Sequence, residues 1–277
     1  MVYITGDTHG DIREFSQRML PYKLSEGDIL IITGDFGFDW ENRTITQWKK
    51  FDHPYTVLFC DGNHENFDVL NSLKTEERFG DTVGKFDSNT FRLMSGHMYD
   101  IQGLRTFVFG GAASIDKDWR VDPDYVAMYG KLWWEEEIPS PETLELAKKT
   151  LEANKWQFDL FLSHTCPPEI KMKVLGNNAV AFHDPVEYMI QNLEEEILSH
   201  DGGWKESWFG HFHVDVDLPM RHCLYKNVLK VWNHSEAATE AMKNMNESAR
   251  KNGTSEMTLD EINAEIVAYR KEKRESK

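Results

Sequence analysis

Five short clusters of chemically capable side chains punctuate this chain of 277 residues: Asp7-Thr8-His9, Gly34-Asp35, Gly62-Asn63-His64-Glu65, Ser163-His164 and Gly210-His211-Phe212-His213. Together they offer two Asp, one Asn and four or five His. One ion takes about four to six ligands, so the set is too large for one cation and suits two. Carboxylate with imidazole, and no thiolate inside a cluster, favours Mn, Fe, Zn, Ni or Co over Mg or Ca. Cys166 lies two residues past His164 but outside the clusters.

Taken singly, each cluster has an ordinary structural explanation. Asp7-Thr8-His9 reads as a turn, Gly34-Asp35 as a strand end, and Asn63-His64 as the cap of a helix beginning near Asn66. His164 reads as a hydrogen-bonded buried histidine. His211 and His213 share one face of an extended chain with or without a metal. Five such clusters at successive strand ends are what call for a common explanation.

The elements that must position them are short. Runs rich in β-branched and aromatic residues recur at 2–5, 29–33, 56–60, 106–110, 160–163, 207–209 and 228–232, most ending at Gly, Asp or Asn. Five of these runs feed directly into the five clusters, which places all of them along one rim of a sheet. Ligand sites in α/β sheets form at the carboxyl ends of strands. Apolar residues three and four apart predict helices over 12–20 and 45–51. Ser140-Pro141-Glu142 opens a longer helix to about 156, and Asp184 caps another running from Pro185 to about His200. Strand–helix alternation early, then strands with fewer helices, predicts an α/β sandwich with mixed sheets. Segment 112–140 has weak periodicity and reads as a long excursion, a length usually functional or mobile.

Composition bounds the partners. Hydrophobic residues make up 40% of the chain, enough for a sizeable core. A formal charge of −16 argues against gripping long nucleic acid but leaves room for a small phosphate held by a local cation. Three widely spaced cysteines, Cys60, Cys166 and Cys223, suit a reduced protein. No stretch approaches membrane-spanning length and no leader is visible, so the expected compartment is the cytoplasm. Residues 1–235 read as one domain and 236–277 as a linker and C-terminal helix. The latter opens on the capping pattern Thr258-x-x-Glu261, with Leu259, Ile262, Ile266 and Tyr269 at helical spacing. That helix either packs on the domain or binds a partner.

In order and spacing the five clusters resemble the signature of the calcineurin-like metallophosphoesterase superfamily: Asp-x-His, Gly-Asp, Gly-Asn-His-Asp/Glu, His and Gly-His-x-His. The resemblance covers about residues 1–235. It implies a two-sheet β-sandwich flanked by helices and a dinuclear metal centre, Mn2+ being the first expectation. By resemblance, Asp7, His9 and His213 hold one ion, Asn63, His164 and His211 the other, and Asp35 bridges them. A water between the ions, made hydroxide near neutral pH, attacks phosphorus in line. His64 then faces the scissile phosphate, with Glu65 orienting it and favouring its imidazolium.

Departures narrow the expectation. The phosphoprotein-phosphatase branch carries Gly-Asp-x-x-Asp-Arg-Gly and an Arg soon after Gly-Asn-His-Glu. Here the chain reads GDFGFDW, with Asp39 one place later and no Arg, and Asn66-Phe67-Asp68 follows Glu65. A substitute phosphate clamp comes from GGAASIDKDWR (110–120), which resembles a segment common in bacterial and phage members. Arg120 is the candidate, while Lys117 reads as surface. Trp119, Trp133 and Trp134 could wall an aryl or nucleotide pocket, with at least one expected in the core. Of the remaining histidines, His183, beside Asp184, is the one expected nearest the site. The expectation is a phosphoesterase acting on a phosphorylated small molecule or nucleotide. The alternatives are a nuclease for short or single-stranded ends and a metal-bound scaffold with a partner-binding tail.

Overall fold

The computed structural model describes residues 1–37, 47–48, 50–179 and 182–231. Asp39, residues 45, 46 and 49 of the helix expected over 45–51, and the linker and helix expected over 236–277 lie outside the described residues. The chain divides into two compact units, Met1–Val231 and Trp232–Lys277, and the architecture below is that of the first.

Two mixed sheets form the frame. The first has seven strands, in spatial order 228–231, 2–5, 29–32, 56–59, 90–93, 81–85 and 74–78, and the second six, in spatial order 216–218, 221–223, 206–209, 160–163, 104–109 and 98–101. In the first, β1 (Val2–Thr5), β2 (Ile29–Ile32), β3 (Thr56–Phe59) and β6 (Thr90–Leu93) run parallel, and β13 (Val228–Val231) pairs antiparallel with β1. In the second, β8 (Leu104–Phe109), β9 (Leu160–Ser163), β10 (Glu206–Phe209) and β12 (Arg221–Cys223) are parallel neighbours.

The apolar runs are continuous because both faces of the central strands are buried. Ile4, Ile31 and Leu58 point between the sheets, against Val108, Leu162 and Trp208. Tyr3, Leu30, Ile32 and Phe59 point the other way, onto Phe15 and Met19 of helix α1 (Ile12–Met19). Phe107 and Phe161, on the outer face of the second sheet, meet α5 (Pro141–Ala153) and α7 (Pro185–Ser199) through Ala147, Leu151, Ile190, Leu193 and Ile197. Side-chain caps start these helices where expected: Asp11 accepts from Arg13 and Glu14 N–H, Ser140 from Thr143, and Asp184 from Val186. Asp11 is thereby separated in role from its neighbours Asp7 and His9.

All seven expected strands form. Not foreseen are β4 (Lys74–Arg78), β5 (Asp81–Lys85), β6, β7 (Met98–Ile101), β11 (Val216–Leu218) and β12. Helices α2 (Phe67–Leu70) and α6 (Pro168–Leu175) were also not delimited from sequence. The excursion at 112–140 contains α3 (Lys117–Arg120) and α4 (Pro123–Tyr129). Among the described residues no helix is long and apolar enough to cross a membrane.

Candidate active site

The loops leaving β1, β2, β3, β9 and β10 converge where the carboxyl ends of both sheets meet. They bring all seven expected donors together in two groups that share Asp35. In the first, ligand atoms of Asp7, His9, Asp35 and His213 all lie within 4.8 Å of one another. His213 Nε2 is 3.2 Å from Asp7 Oδ2 and 2.9 Å from His9 Nε2. In the second, Asn63 Oδ1 lies 3.2 Å from His164 Nε2 and 3.1 Å from His211 Nδ1, and His164 Nε2 is 3.2 Å from Asp35 Oδ1. Asp35 presents Oδ1 to His164 and Oδ2 to His9, the latter at 3.7 Å from His9 Nδ1.

The backbone is bent hard to do this. His9, Asp35, His211 and His213 all have φ between 45° and 68°, a region costly for non-glycine residues and often found at functional sites. Glycines make room for the carboxylates. A Cβ on Gly62 would sit 2.1 Å from Asp35 Oδ1, and one on Gly210 at 2.1 Å from Asp7 Oδ1. Without those side chains, Asp35 Oδ1 accepts from His64 N–H at 2.8 Å, and Asp7 accepts from His211 N–H at 3.1 and 3.2 Å.

Supporting bonds fix which atoms face inward. His164 Nδ1 sits 2.7 Å from Thr33 O. Donating there leaves the Nε2 lone pair aimed at Asp35 and Asn63, both acceptors. Asn63 Nδ2 donates to Ser114 Oγ at 3.1 Å, and Ser114 donates to Glu137 at 2.7 Å, which turns Asn63 Oδ1 inward. Lone pairs converging without a proton repel unless a cation sits among them. The electrostatics agree. Burial opposes a charge on His164, yet Asp35 beside it lifts its pKa to about 10. Burial and the neighbouring His164 push His211 down to about 3. Burial opposes the charge on Asp35 too, but the surrounding histidines hold it well below the usual carboxylate range. The carboxylate of Asp35 favours a positive charge among these donors, which a proton on His164 or a divalent cation supplies, so the donor set fits a metal.

A family description now applies. The calcineurin-like phosphoesterase family model matches residues 1–215. The chain belongs to that family. It is a metal-dependent phosphoesterase, a hydrolase of phosphoric esters. No curated protein matches the chain. The fold is the family's two-sheet sandwich, as expected from the motifs.

Around this phosphoesterase site two sequence expectations are corrected. Glu65 was to orient His64. Its oxygens instead accept from Phe36 and Gly37 N–H at 2.7 and 3.2 Å, so it shapes the loop carrying Asp35. The guanidinium of Arg120 meets the His64 ring, with Nη2 3.1 Å from Nε2 and 3.2 Å from Nδ1. Nor is the imidazolium favoured: burial lowers the His64 pKa, with Asp35 opposing and Arg120 reinforcing. The other correction concerns His183, which is exposed and stacks on Tyr188 at 4.6 Å. Its neighbour Asp184 is the one that reaches the site's surroundings, accepting from Ala113 N–H at 3.1 Å.

Arg120 is 2% exposed, tied to Asp116 across one helical turn. Lys117 is exposed, with Nζ 3.8 Å from the centre of the Trp133 ring. Trp134 belongs to the core, whereas Trp119 is largely exposed. Ser114 and Glu137, which support Asn63 from behind, are positions that sequence reasoning missed. Ser114 sits inside the GGAAS stretch already singled out, but nothing local announces its partner 23 residues on. A cleft of about 290 Å³ opens at the site, bordered by Asp35, Asn63, His64, His211 and His213.

Proposed function

We propose that this phosphoesterase holds two divalent cations, Mn2+ foremost, and hydrolyses a phosphomonoester or phosphodiester of a small molecule or nucleotide. The observation that carries this reading is Asp35, which offers one oxygen to each donor group. Asp7, His9 and His213 would hold one ion and Asn63, His164 and His211 the other, with the Asp35 carboxylate available to both. A shared carboxylate would lessen the repulsion between two such cations. Bound there, the ions supply Lewis acidity toward phosphoryl oxygens and a water acidic enough to attack at neutral pH.

The chain's own residues do the rest. Arg120 donates to a phosphoryl oxygen, its guanidinium already stripped of water and aimed by Asp116. Arg120 Nη2 lies at nearly equal distance from both His64 ring nitrogens, so it sets where the ring sits and does not select its tautomer. The neutral ring offers one N–H, which stabilises charge on the leaving oxygen by a hydrogen bond without giving up its proton. Asn63 and the ring of His64 border the cleft where the ester enters. The acidic surface disfavours long nucleic acid, and the three cysteines are buried and unpaired, as a reducing cytoplasm permits.

The test supplies Mn2+ and offers p-nitrophenyl phosphate, bis-p-nitrophenyl phosphate and a labelled oligonucleotide side by side. One of the first two should be turned over; cleavage of the oligonucleotide alone would replace this reading with a nuclease. Asp35→Asn should lose both ions and essentially all turnover. His64→Ala should keep its metal and lose about 10²-fold or more in kcat. Two bound ions and no activity on any ester would leave a scaffold.

A further inference from the structure

The cleft at the site has a second end. Beyond the donor cluster its lining continues through Ile115, Leu175, Phe182 and Phe212 to Lys171 and Glu187. Lys171, on α6, is 8% exposed, and Glu187, on α7, 2%. Lys171 Nζ donates to Glu187 Oε1 at 2.7 Å and to Phe182 O at 3.3 Å. An ammonium has three donors, so one N–H remains for the cleft.

A buried ion pair is a poor way to fasten two helices, since apolar residues of similar size often do it better. The pair here also lines a cleft, where its desolvation is paid without any return in packing. Burial lifts Glu187 to about 7, so near neutrality the carboxylate cancels the ammonium only in part. The other acids bordering this cleft are already engaged: Asp116 with Arg120, and Asp35 within the donor cluster.

Resting on the phosphoesterase reading above, we propose that Lys171 is a specificity residue that anchors an anionic group on the leaving-group side of the substrate. The preferred ester then has three parts in line: the phosphoryl group at the donor cluster, an apolar body along Ile115, Leu175, Phe182 and Phe212, and a carboxylate or second phosphate at Lys171. Glu187 holds the ammonium in place until that anion arrives.

The experiment uses the Mn2+-loaded full chain and non-hydrolysable probes: alkylphosphonates of two to six carbons, each paired with its ω-carboxylated counterpart, titrated by calorimetry. A carboxylate reaching the ammonium gains a charge-assisted hydrogen bond, so at one chain length the carboxylated probe should bind at least about tenfold tighter than its parent. In the double variant Lys171→Gln/Glu187→Gln, which leaves no buried charge unpaired, the preference should vanish while the parent phosphonate binds as before. Lys171→Arg should retain the preference. Equal binding of both probes at every length in the wild type, or a preference that survives in the double variant, overturns the anchor while the phosphoesterase reading stands. If no phosphonate binds and no ester is cleaved, that reading fails and the anchor with it.

Discussion

The two halves of the donor cluster use the same chemistry at different depths. His164 is fully buried and Asn63 nearly so, and each is held from behind, His164 by Thr33 O and Asn63 by Ser114 and Glu137. In the other half the side chains of His9 and His213 are 32% and 49% exposed. His213 is steadied by stacking on Tyr225 at 4.8 Å, and His9 meets His64 edge-on at 5.2 Å. In the deeper half folding settles the geometry of His164 and Asn63, which have no room to turn, while His211 is half-buried. The open half must still order two rings when it takes an ion. On the two-ion reading proposed above, preorganisation, more than donor type, sets how firmly each half holds a cation.

The comparison breaks first on metal retention. Under a chelator, the ion held by His9 and His213 should leave before the one held by Asn63, His164 and His211. His164→Ala should cost more affinity than His213→Ala. Groups that hydrogen-bond a metal-binding side chain from behind are commonly worth about 10–100-fold in affinity, and His164→Ala would forfeit the proposed donor together with its tie to Thr33. Metal content after graded dialysis, followed by atomic absorption, measures both. Equal losses in the two variants would mean that burial does not distinguish the halves.

Much of this site was legible because its donors sit beside the strands that carry them. The runs at 2–5, 29–33, 56–60, 160–163 and 207–209 bury apolar side chains on both faces of their strands, so their ends stood out. Strand β4 did not, because Lys74, Glu76, Glu77 and Arg78 face solvent at a sheet edge, where charge guards against further pairing. The support for Asn63 was hidden for another reason. Ser114 and Glu137 meet it only after the excursion folds back, with Ala112 N–H bonding to Glu137 O and Gly111 N–H to Asp61 O. Glu65 misled because adjacency in sequence suggested His64 as its partner, whereas the turn after β3 sends the two side chains to different neighbours.

A smaller effect lies inside the deeper half, whose two histidines answer pH in opposite directions. In the metal-free protein the folded-state pKa of His164 is raised to about 10 from an unfolded value near 6.5. Its contribution is therefore complete below about pH 6.5 and is lost as pH rises through 10. His211 runs the other way. Pushed down to about 3, it contributes fully above about 6.5 and loses that contribution as pH falls toward 3. The stripped protein should thus lose Tm steadily from pH 7 to 10. The Mn2+-loaded protein should not, since the cation replaces the proton on His164. Thermal melts with and without chelator check this, and parallel curves would contradict it. His213 is also raised, chiefly by its hydrogen bond with Asp7, and adds to the alkaline loss with the same sign.

The smallest expected change concerns the loop that both halves share. Asp35 O accepts from Thr8 and His9 N–H, Phe36 O accepts from Gly10, and Glu65 closes the far side of the same turn. Glu65→Gln keeps the shape but turns an amide NH2 toward a backbone donor, a mismatch worth about 1–3 kcal/mol of stability. Because Asp35 serves both donor groups, loosening its loop should weaken retention of the two ions by a similar factor and lower Tm by a few degrees. The pH dependence of kcat should stay in place, since His64 takes its polar contact from Arg120. A shifted pH profile with an unchanged Tm would restore Glu65 as the group that orients His64, and would make the loop's geometry independent of it.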